Sequence, residues 1–192
     1  VAPSGTTVFS ASNSMTQNSN GTATEVAVPL DEGEYKLYVI DAAGNTSNPS
    51  SSSIYRDLTK PEVLSVTSSS SDGTYTSGQT INATITFTES VTLSGVLSVT
   101  LDSGAQIALS SLTTSNTIGF TYTVGASDDS KDLTVSSITL TSGSLKDLSE
   151  NEVTSTVSIT AGGNLADNAA LIVDNSAPTI QSVTASPTSG SF

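Results

Sequence analysis

The sequence predicts an all-β protein built from β-sandwich units in tandem, and three observations carry that prediction. Apolar residues alternate with Ser and Thr at period two through several short segments, the pattern of strands buried on one face. Ser and Thr supply about a third of the 192 residues and charged residues only 12%, a balance that favours strands over helices. The third observation is a repeat. Asp57-Leu58-Thr59-Lys60-Pro61 is followed by Val63, Ser65-Val66-Thr67 and Gly73-Thr74-Tyr75. Asp174-Asn175-Ser176-Ala177-Pro178, Ile180, Ser182-Val183-Thr184 and Gly190-Ser191-Phe192 match it at an offset of 117 residues. A fixed period marks units strung into an array. The chain therefore divides into the C-terminal part of a preceding unit (1–56), a complete unit (57–173), and a linker with the opening strand of the next unit (174–192).

In the preceding unit, Thr24–Val28, Glu34–Ile40 and Ser51–Arg56 read as strands. Val63–Thr67 opens the central unit. Thr80–Thr88 gives the clearest strand, with Ile81, Ala83, Ile85 and Phe87 on one face and Asn82, Thr84, Thr86 and Thr88 on the other. Leu97, Val99 and Leu101 repeat the alternation. Asp102-Ser103-Gly104 then turns the chain into Gln106–Ser110, a hairpin signal. Ile118–Val124, Leu133–Leu140 and Val153–Thr160 follow, and Ala170–Val173 closes the unit. No segment keeps a 3.6-residue period over a helical length, so no helix is expected. Short strands separated by turns indicate two sheets burying alternate residues.

Two accounts fit the uneven ends of this division. One is arbitrary truncation of a tandem array, the more economical of the two. The sharper alternative is that the chain is one period of a polymer, its C-terminal segment completing the N-terminal half of the next unit.

Eighteen acidic residues against five basic ones leave a net charge of −13. Nucleic acid is excluded as a partner, because phosphate contacts need clustered Lys or Arg, and an anionic membrane surface is disfavoured for the same reason. No apolar run approaches the ~20 residues of a membrane helix. Val1-Ala2-Pro3-Ser4 has neither a basic nor an apolar stretch, so any export signal is expected upstream. Cysteine and histidine are both absent. Nucleophile systems of the Ser-His-Asp or Cys-His type are therefore excluded within these residues, and so is the usual zinc ligand. A cysteine-free, Ser/Thr-rich β protein fits a bacterial surface or secreted origin.

Strand order gives the acidic residues an address. In a sandwich the first strand leaves the upstream pole and the second returns to it. Asp57 precedes the first strand, Glu89 ends the second, and Asp147-Leu148-Ser149-Glu150-Asn151 lies in a loop just before Val153. All are expected at the upstream pole, where carboxylates and carbonyls suit a hard cation such as Ca2+. Asp57, Glu89, Asp147 and Asn151 are the candidate ligands there, and Asp174 is added from its place in the repeated linker. The plain alternative is that Asp and Asn shape turns through their own backbone. Asp128-Asp129-Ser130-Lys131-Asp132 is expected near the opposite pole as a solvated loop, with Asp72 and Asp174 beside it. Asp41-Ala42-Ala43-Gly44-Asn45 repeats the Asp-to-Asn spacing of Asp147–Asn151, and each is followed by a closing strand and an Asp-x-x-x-Pro linker.

Gly33-Glu34-Tyr35-Lys36-Leu37-Tyr38-Val39-Ile40-Asp41-Ala42-Ala43-Gly44-Asn45, with Asp57 and Pro61 after it, resembles the end of a bacterial immunoglobulin-like repeat. The central unit is similar to another variety of these repeats. It matches in Asp72-Gly73-Thr74-Tyr75, Thr86-Phe87-Thr88-Glu89, Leu101-Asp102-Ser103-Gly104, Asp128-Asp129-Ser130-Lys131-Asp132-Leu133 and Asp174-Asn175-Ser176-Ala177-Pro178. The Asp147–Asn151 loop departs from the usual Asp-x-Ala-Gly-Asn. The resemblance implies immunoglobulin-like sandwiches from the stalk of a secreted adhesin or cell-surface protein, many of which hold Ca2+ between domains. It implies neighbouring repeats as partners and names no target.

A binding module for carbohydrate or a host receptor is the alternative function. Sugar sites favour an exposed aromatic platform; there is no Trp, and Tyr38, Tyr55 and Tyr75 are the candidates for exposed rings. An enzyme is disfavoured: Glu150 and Glu152 offer two carboxylates, but nothing marks a cleft around them. A Lys–Asn isopeptide crosslink needs a buried Lys, whereas Lys36 alternates with Tyr35 and Leu37 and is expected to face solvent. Asn20, Asn45 and Asn82 fall in glycosylation sequons, which arise by chance in such a composition.

Overall fold

Tyr122 and Ser103 lie near opposite ends of the longest strand pairing among the described residues, yet their hydroxyl oxygens lie within hydrogen-bond distance at 3.2 Å. That contact explains the architecture. The structure, a computed structural model, describes residues 2–3, 30–41 and 43–184. Its strands are β1 (Ala2–Pro3), β2 (Gly33–Lys36), β3 (Ser53–Arg56), β4 (Val63–Ser68), β5 (Gly73–Tyr75), β6 (Thr80–Leu101), β7 (Gln106–Thr123), β8 (Val135–Asp147), β9 (Glu152–Val153) and β10 (Leu171–Val173). A single helical turn, α1 (Leu165–Asn168), precedes β10. The chain is all-β. The strand expected at Thr24–Val28 lies outside the described residues. No helix among the described residues is long and apolar enough to cross a membrane.

β6 and β7 form one antiparallel ribbon, running from Thr80↔Thr123 to Thr100↔Gln106. Drawn straight, a strand of 22 residues spans ~70 Å. Contact between Tyr122 and Ser103 requires the ribbon to double back on itself. Its two halves then present one face to a common core: Ile81, Ala83, Ile85 and Phe87 from the first, Val91, Leu93, Leu97, Val99 and Leu101 from the second, all buried. On the other edge of β6, β4 pairs with the first half (Val63↔Phe87 to Ser68↔Ala83) and β8 with the second (Val91↔Asp147 to Leu101↔Val135). β9 extends the sheet through Leu145↔Val153, and β10 pairs in parallel with β5. The result is sandwich-like, one folded sheet closing on its own core.

The fold point lies where sequence reasoning placed loops. Thr80–Thr88 and Leu97–Leu101 are expected as separate strands, as are Gln106–Ser110 and Ile118–Val124. The structure fuses each pair, with register shifts between Thr86 and Val96 on β6. The Ser, Thr and Gly residues between them act as bulges, which bend a strand without ending its pairing. Ser111 and Thr114 adopt positive φ of 58° and 34° there. Gly95 and Gly143 face each other across β6 and β8 with φ of +108° and +78°. A Cβ on Gly95 overlaps the Ser142 carbonyl, and one on Gly143 overlaps the Ser94 carbonyl. The two backbones approach this closely only because both residues lack a side chain.

Other elements shift in extent. β8 continues seven residues past the expected Leu140 to Asp147. Beyond β9, the expected strand to Thr160 is reduced to bridges at Thr139↔Thr156 and Val63↔Ile159. The helical turn α1 is unexpected. Its signal is Asn164 three residues before Asp167: each side chain caps the other's backbone, a capping box. Upstream, β2 lies between β1 and β3; Tyr35 is buried and its hydroxyl donates to the Asp31 carbonyl at 3.0 Å. Lys36 is half-buried, its Nζ donating to the Ser50 carbonyl at 3.4 Å.

Gly95→Ala and Gly143→Ala are expected to lose about 3 kcal/mol each, combining a positive-φ penalty with backbone overlap. Gly104→Ala, at φ +92° with open space around it, carries the φ penalty alone, about 1 kcal/mol. Urea denaturation of the three variants checks the ranking.

Candidate metal centre

The fold brings three carboxylates from three distant positions to the upstream pole. Asp57 follows β3 in the linker. Glu89 sits where β6 enters its bend, and Asp147 is the last residue of β8. Antiparallel pairing of β4 with β6, sealed by the Thr88 amide donating to the Glu62 carbonyl at 2.9 Å, sets the linker beside Glu89. Pairing of Asp147 with Val91 brings the end of β8 to the same place. One carboxylate oxygen from each of Asp57, Glu89 and Asp147 lies within 4.8 Å of the others.

Asp147 is 4% exposed and held rigidly. Its Oδ1 accepts from the Ser149 and Asn151 amides at 2.7 and 2.8 Å, and its Oδ2 from Asn151 Nδ2 at 2.7 Å. The same Nδ2 donates to the Asp57 carbonyl at 3.2 Å. Asn151 thus turns its amide nitrogen toward the cluster and serves as a bracket between linker and loop. The Asp41 loop has the same construction. Asp41 Oδ1 accepts from the Ala43 and Asn45 amides at 2.9 and 2.8 Å, and Oδ2 from Asn45 Nδ2 at 2.8 Å. Even the fourth position agrees: Gly44 has φ +89° and Glu150 φ +67°. An Asp-x-x-x-Asn spacing therefore builds one kind of turn, with or without the Ala-Gly inside it. Its hydrogen bonds, the Asn45 side chain foremost, hold the exposed Asp41 carboxyl below its ordinary value.

What distinguishes Asp147 from Asp41 is company. Burial, then the negative charges of Asp147 and Asp57, push the Glu89 carboxyl above its ordinary value. The ion pair found among the described residues, Lys146–Glu150 at 3.1 Å, lies on the loop surface and brings no cation into the cluster. Carboxylate oxygens crowded together without a counter-charge fit a hard, oxygen-seeking divalent cation.

Asp174 stands apart from the other four candidate residues. It lies at the downstream pole, its amide donating to the Tyr75 carbonyl at 3.0 Å, roughly the length of Thr80–Glu89 away. Its Oδ1 accepts from the Ser176 amide at 2.8 Å, as Asp57 Oδ1 accepts from the Thr59 amide at 2.9 Å. The repeat in sequence is thus a repeat in local structure. Sequence reasoning missed Asn175, which clips this linker to the body. It accepts from the Ser77 amide at 2.7 Å and donates to the Gly125 and Asp128 carbonyls at 3.0 and 2.7 Å.

The other acidic residues at that pole shape loops. Asp128 Oδ2 accepts from the Tyr122 hydroxyl at 2.6 Å and the Gly125 amide at 2.8 Å. Burial and then this bond push the Tyr122 phenol up to about 12. Asp72 Oδ1 accepts from the Ala170 amide at 3.0 Å. Comparison with protein-family models, curated proteins and solved structures yields no match.

Glu89 sets a sign for the pH dependence. Its folded-state value lies above its unfolded one, so its contribution to stability is present at acid pH and lost as pH rises through the folded value. With divalent ions chelated, Glu89→Gln is expected to be more stable than wild type at neutral pH, with the difference closing below the ordinary glutamate value. Urea denaturation across this pH range reads it; a difference that does not change with pH contradicts the crowded-carboxylate assignment.

Proposed function

We propose that the chain is a non-catalytic structural segment of a bacterial extracellular adhesin, stalk or fibre. It is made of immunoglobulin-like sandwich units that divide at Asp57 and Asp174, and Ca2+ stiffens the junction between units. The observation that carries this reading is the position of Asp57. Asp57 belongs to the linker, whereas Glu89 and Asp147 belong to the sheet body, and their carboxylate oxygens lie within 4.8 Å of one another. A cation shared by these groups ties the linker to the body. Without it, like charges push the linker away.

The donor set favours Ca2+ chemically. The cluster offers hard oxygen ligands, and Ca2+ accepts six to eight of them in adaptable geometry, whereas Mg2+ demands a near-ideal octahedron. Asp57, Glu89 and Asp147 hold the ion. Asn151 keeps the Asp147 carboxylate and the linker carbonyl in place. Two further features support units in series: Asp57 and Asp174 make the same local turn, and the Asp41 and Asp147 carboxylates accept the same three hydrogen bonds from their loops.

Thermal unfolding of the full chain in calcium and in EDTA tests the reading. Binding to the native state adds RT ln(1 + [L]/Kd), about 2.7 kcal/mol at a hundredfold excess over Kd, or about 5–10 °C in Tm for a chain of this size. Glu89→Gln and Asp57→Asn are expected to abolish the rise. The absence of any calcium-dependent shift in the wild-type chain overturns the stiffened junction.

A further inference from the structure

The first and last strands of the central unit are each bonded along both edges. β4 pairs with β6 on one side. On the other, the Val63 amide donates to the Ser158 carbonyl at 2.8 Å, the Thr160 amide to the Val63 carbonyl at 2.8 Å and the Val66 amide to the Gly163 carbonyl at 2.7 Å. Side chains add to that edge. Thr160 Oγ1 donates to the Leu64 carbonyl at 2.7 Å, and Asn168 Nδ2 to the Val66 carbonyl at 3.3 Å. The approach is close enough that a Cβ on Gly163 overlaps the Leu64 carbonyl.

β10 is gripped in the same manner. It pairs in parallel with β5 as Leu171↔Gly73, Ile172↔Thr74 and Val173↔Tyr75. On its other edge the Ser130 amide donates to the Val173 carbonyl at 2.9 Å, the Val173 amide to the Ser130 carbonyl at 2.8 Å and the Leu133 amide to the Leu171 carbonyl at 2.7 Å. Val63 and Val66 in β4, and Leu171 and Val173 in β10, are fully buried. Just past β10, Asn175 binds the Ser77 amide and the Gly125 and Asp128 carbonyls.

The two strands also share a direction. β4 begins beside Thr88 at the upstream pole and runs toward the start of β6. β10 ends at the downstream pole, where Asp174 meets Tyr75 and Asn175 meets Gly125. A pull between the Asp57 and Asp174 linkers therefore draws β4 and β10 along their own axes, in opposite senses. Inter-strand bonds lie across the strands. An axial pull strains all the bonds of a strand together, whereas a sideways pull opens them one at a time. Resting on the division into units at Asp57 and Asp174, we propose that the 57–173 unit is a load-bearing element in which β4 and β10 carry tension in shear. Asn175 is the clip through which load from the downstream linker first enters the body. Under such load the lifetime of the fold is set by its unfolding rate. None of these bonds involves Asp57, Glu89 or Asp147 side chains, so the load path works with divalent ions chelated.

The chain contains no cysteine, so thiol handles define the direction of pull. Lys60, Ser77 and Thr179 are exposed and accept them. Full-length Lys60→Cys/Thr179→Cys chains, held in an optical trap in EDTA, are pulled along the strands. Ser77→Cys/Thr179→Cys chains are pulled at the adjacent ends of β5 and β10, which peels that pair apart. The axial pull is expected to give one abrupt step releasing on the order of 400 Å of chain. Its rupture force is several-fold above that of the peeling pull at the same loading rate. Equal rupture forces, or gradual yielding under the axial pull, overturn the proposal. Asn175→Ala is expected to lower the axial force, whereas Gly104→Ala, in a hairpin outside both strands, leaves it unchanged despite its loss of stability in urea. A force that falls alike in both variants follows stability alone and overturns the clip. The calcium-dependent thermal shift is read separately, so failure of the load path and failure of the junction ion are told apart.

Discussion

The close approach of β6 to β8 at Gly95 and Gly143 is the constraint on which the rest of the structure depends. A ribbon of ~70 Å cannot bury its apolar face unless it folds, and it folds where two backbones pass with no Cβ between them. Once it has folded, period-two alternation on both halves of β6 aims every second residue at one core. β4 and β8 then fill the free edge of β6, each along the half its register allows. The hydroxyl of Tyr122 seals the far ends through Ser103 and Asp128. Core, edges and poles all follow from one bend.

The carboxylate cluster is a consequence of that bend. Glu89 sits at the fold point, Asp147 at the end of the strand that pairs with the second half of β6, and Asp57 in the linker that leads into β4. Each acid has a local task, most plainly Asp147, whose oxygens already accept three hydrogen bonds from its own loop. The Asp41 loop performs the same local task among exposed residues. Identical turns thus have different electrostatic surroundings, set by which other acids the sheet delivers. In a chain of net charge −13, three carboxylates gathered at one half-buried point repel one another more than the same charges scattered over the surface.

The two linkers are held in different ways. At Asp57 the Asn151 amide nitrogen donates to the main-chain carbonyl at 3.2 Å, and the side chain lies among the like charges of Glu89 and Asp147. At Asp174 the Asn175 side chain grips through three main-chain groups and needs no ion. The residue that matches Asn175 in the repeat is Leu58, which is 42% exposed. The segment at Asp174 is therefore held by neutral hydrogen bonds, whereas the segment at Asp57 also carries a carboxylate of the acidic cluster.

Sequence alone determined the β class, the alternation that marks Ile81–Phe87 and Leu97–Leu101 as core, the hairpin at Asp102–Gly104 and the kinship of the 57–75 and 174–192 segments. These are local properties: period, turn chemistry and identity are written residue by residue. It also assigned Asp57, Glu89 and Asp147 to one pole, because strand direction follows from counting reversals. Only the tertiary structure decided that the Ser/Thr/Gly stretches around residues 90 and 113 are bulges within continuous strands. The same residue types serve turn and bulge alike, and only pairing across the sheet distinguishes them. It alone turned the Asn151 amide nitrogen toward Asp147 and brought Asn175 to Ser77 and Gly125. Those contacts join residues tens of positions apart, and their existence depends on how the folded ribbon stacks, which no local pattern encodes.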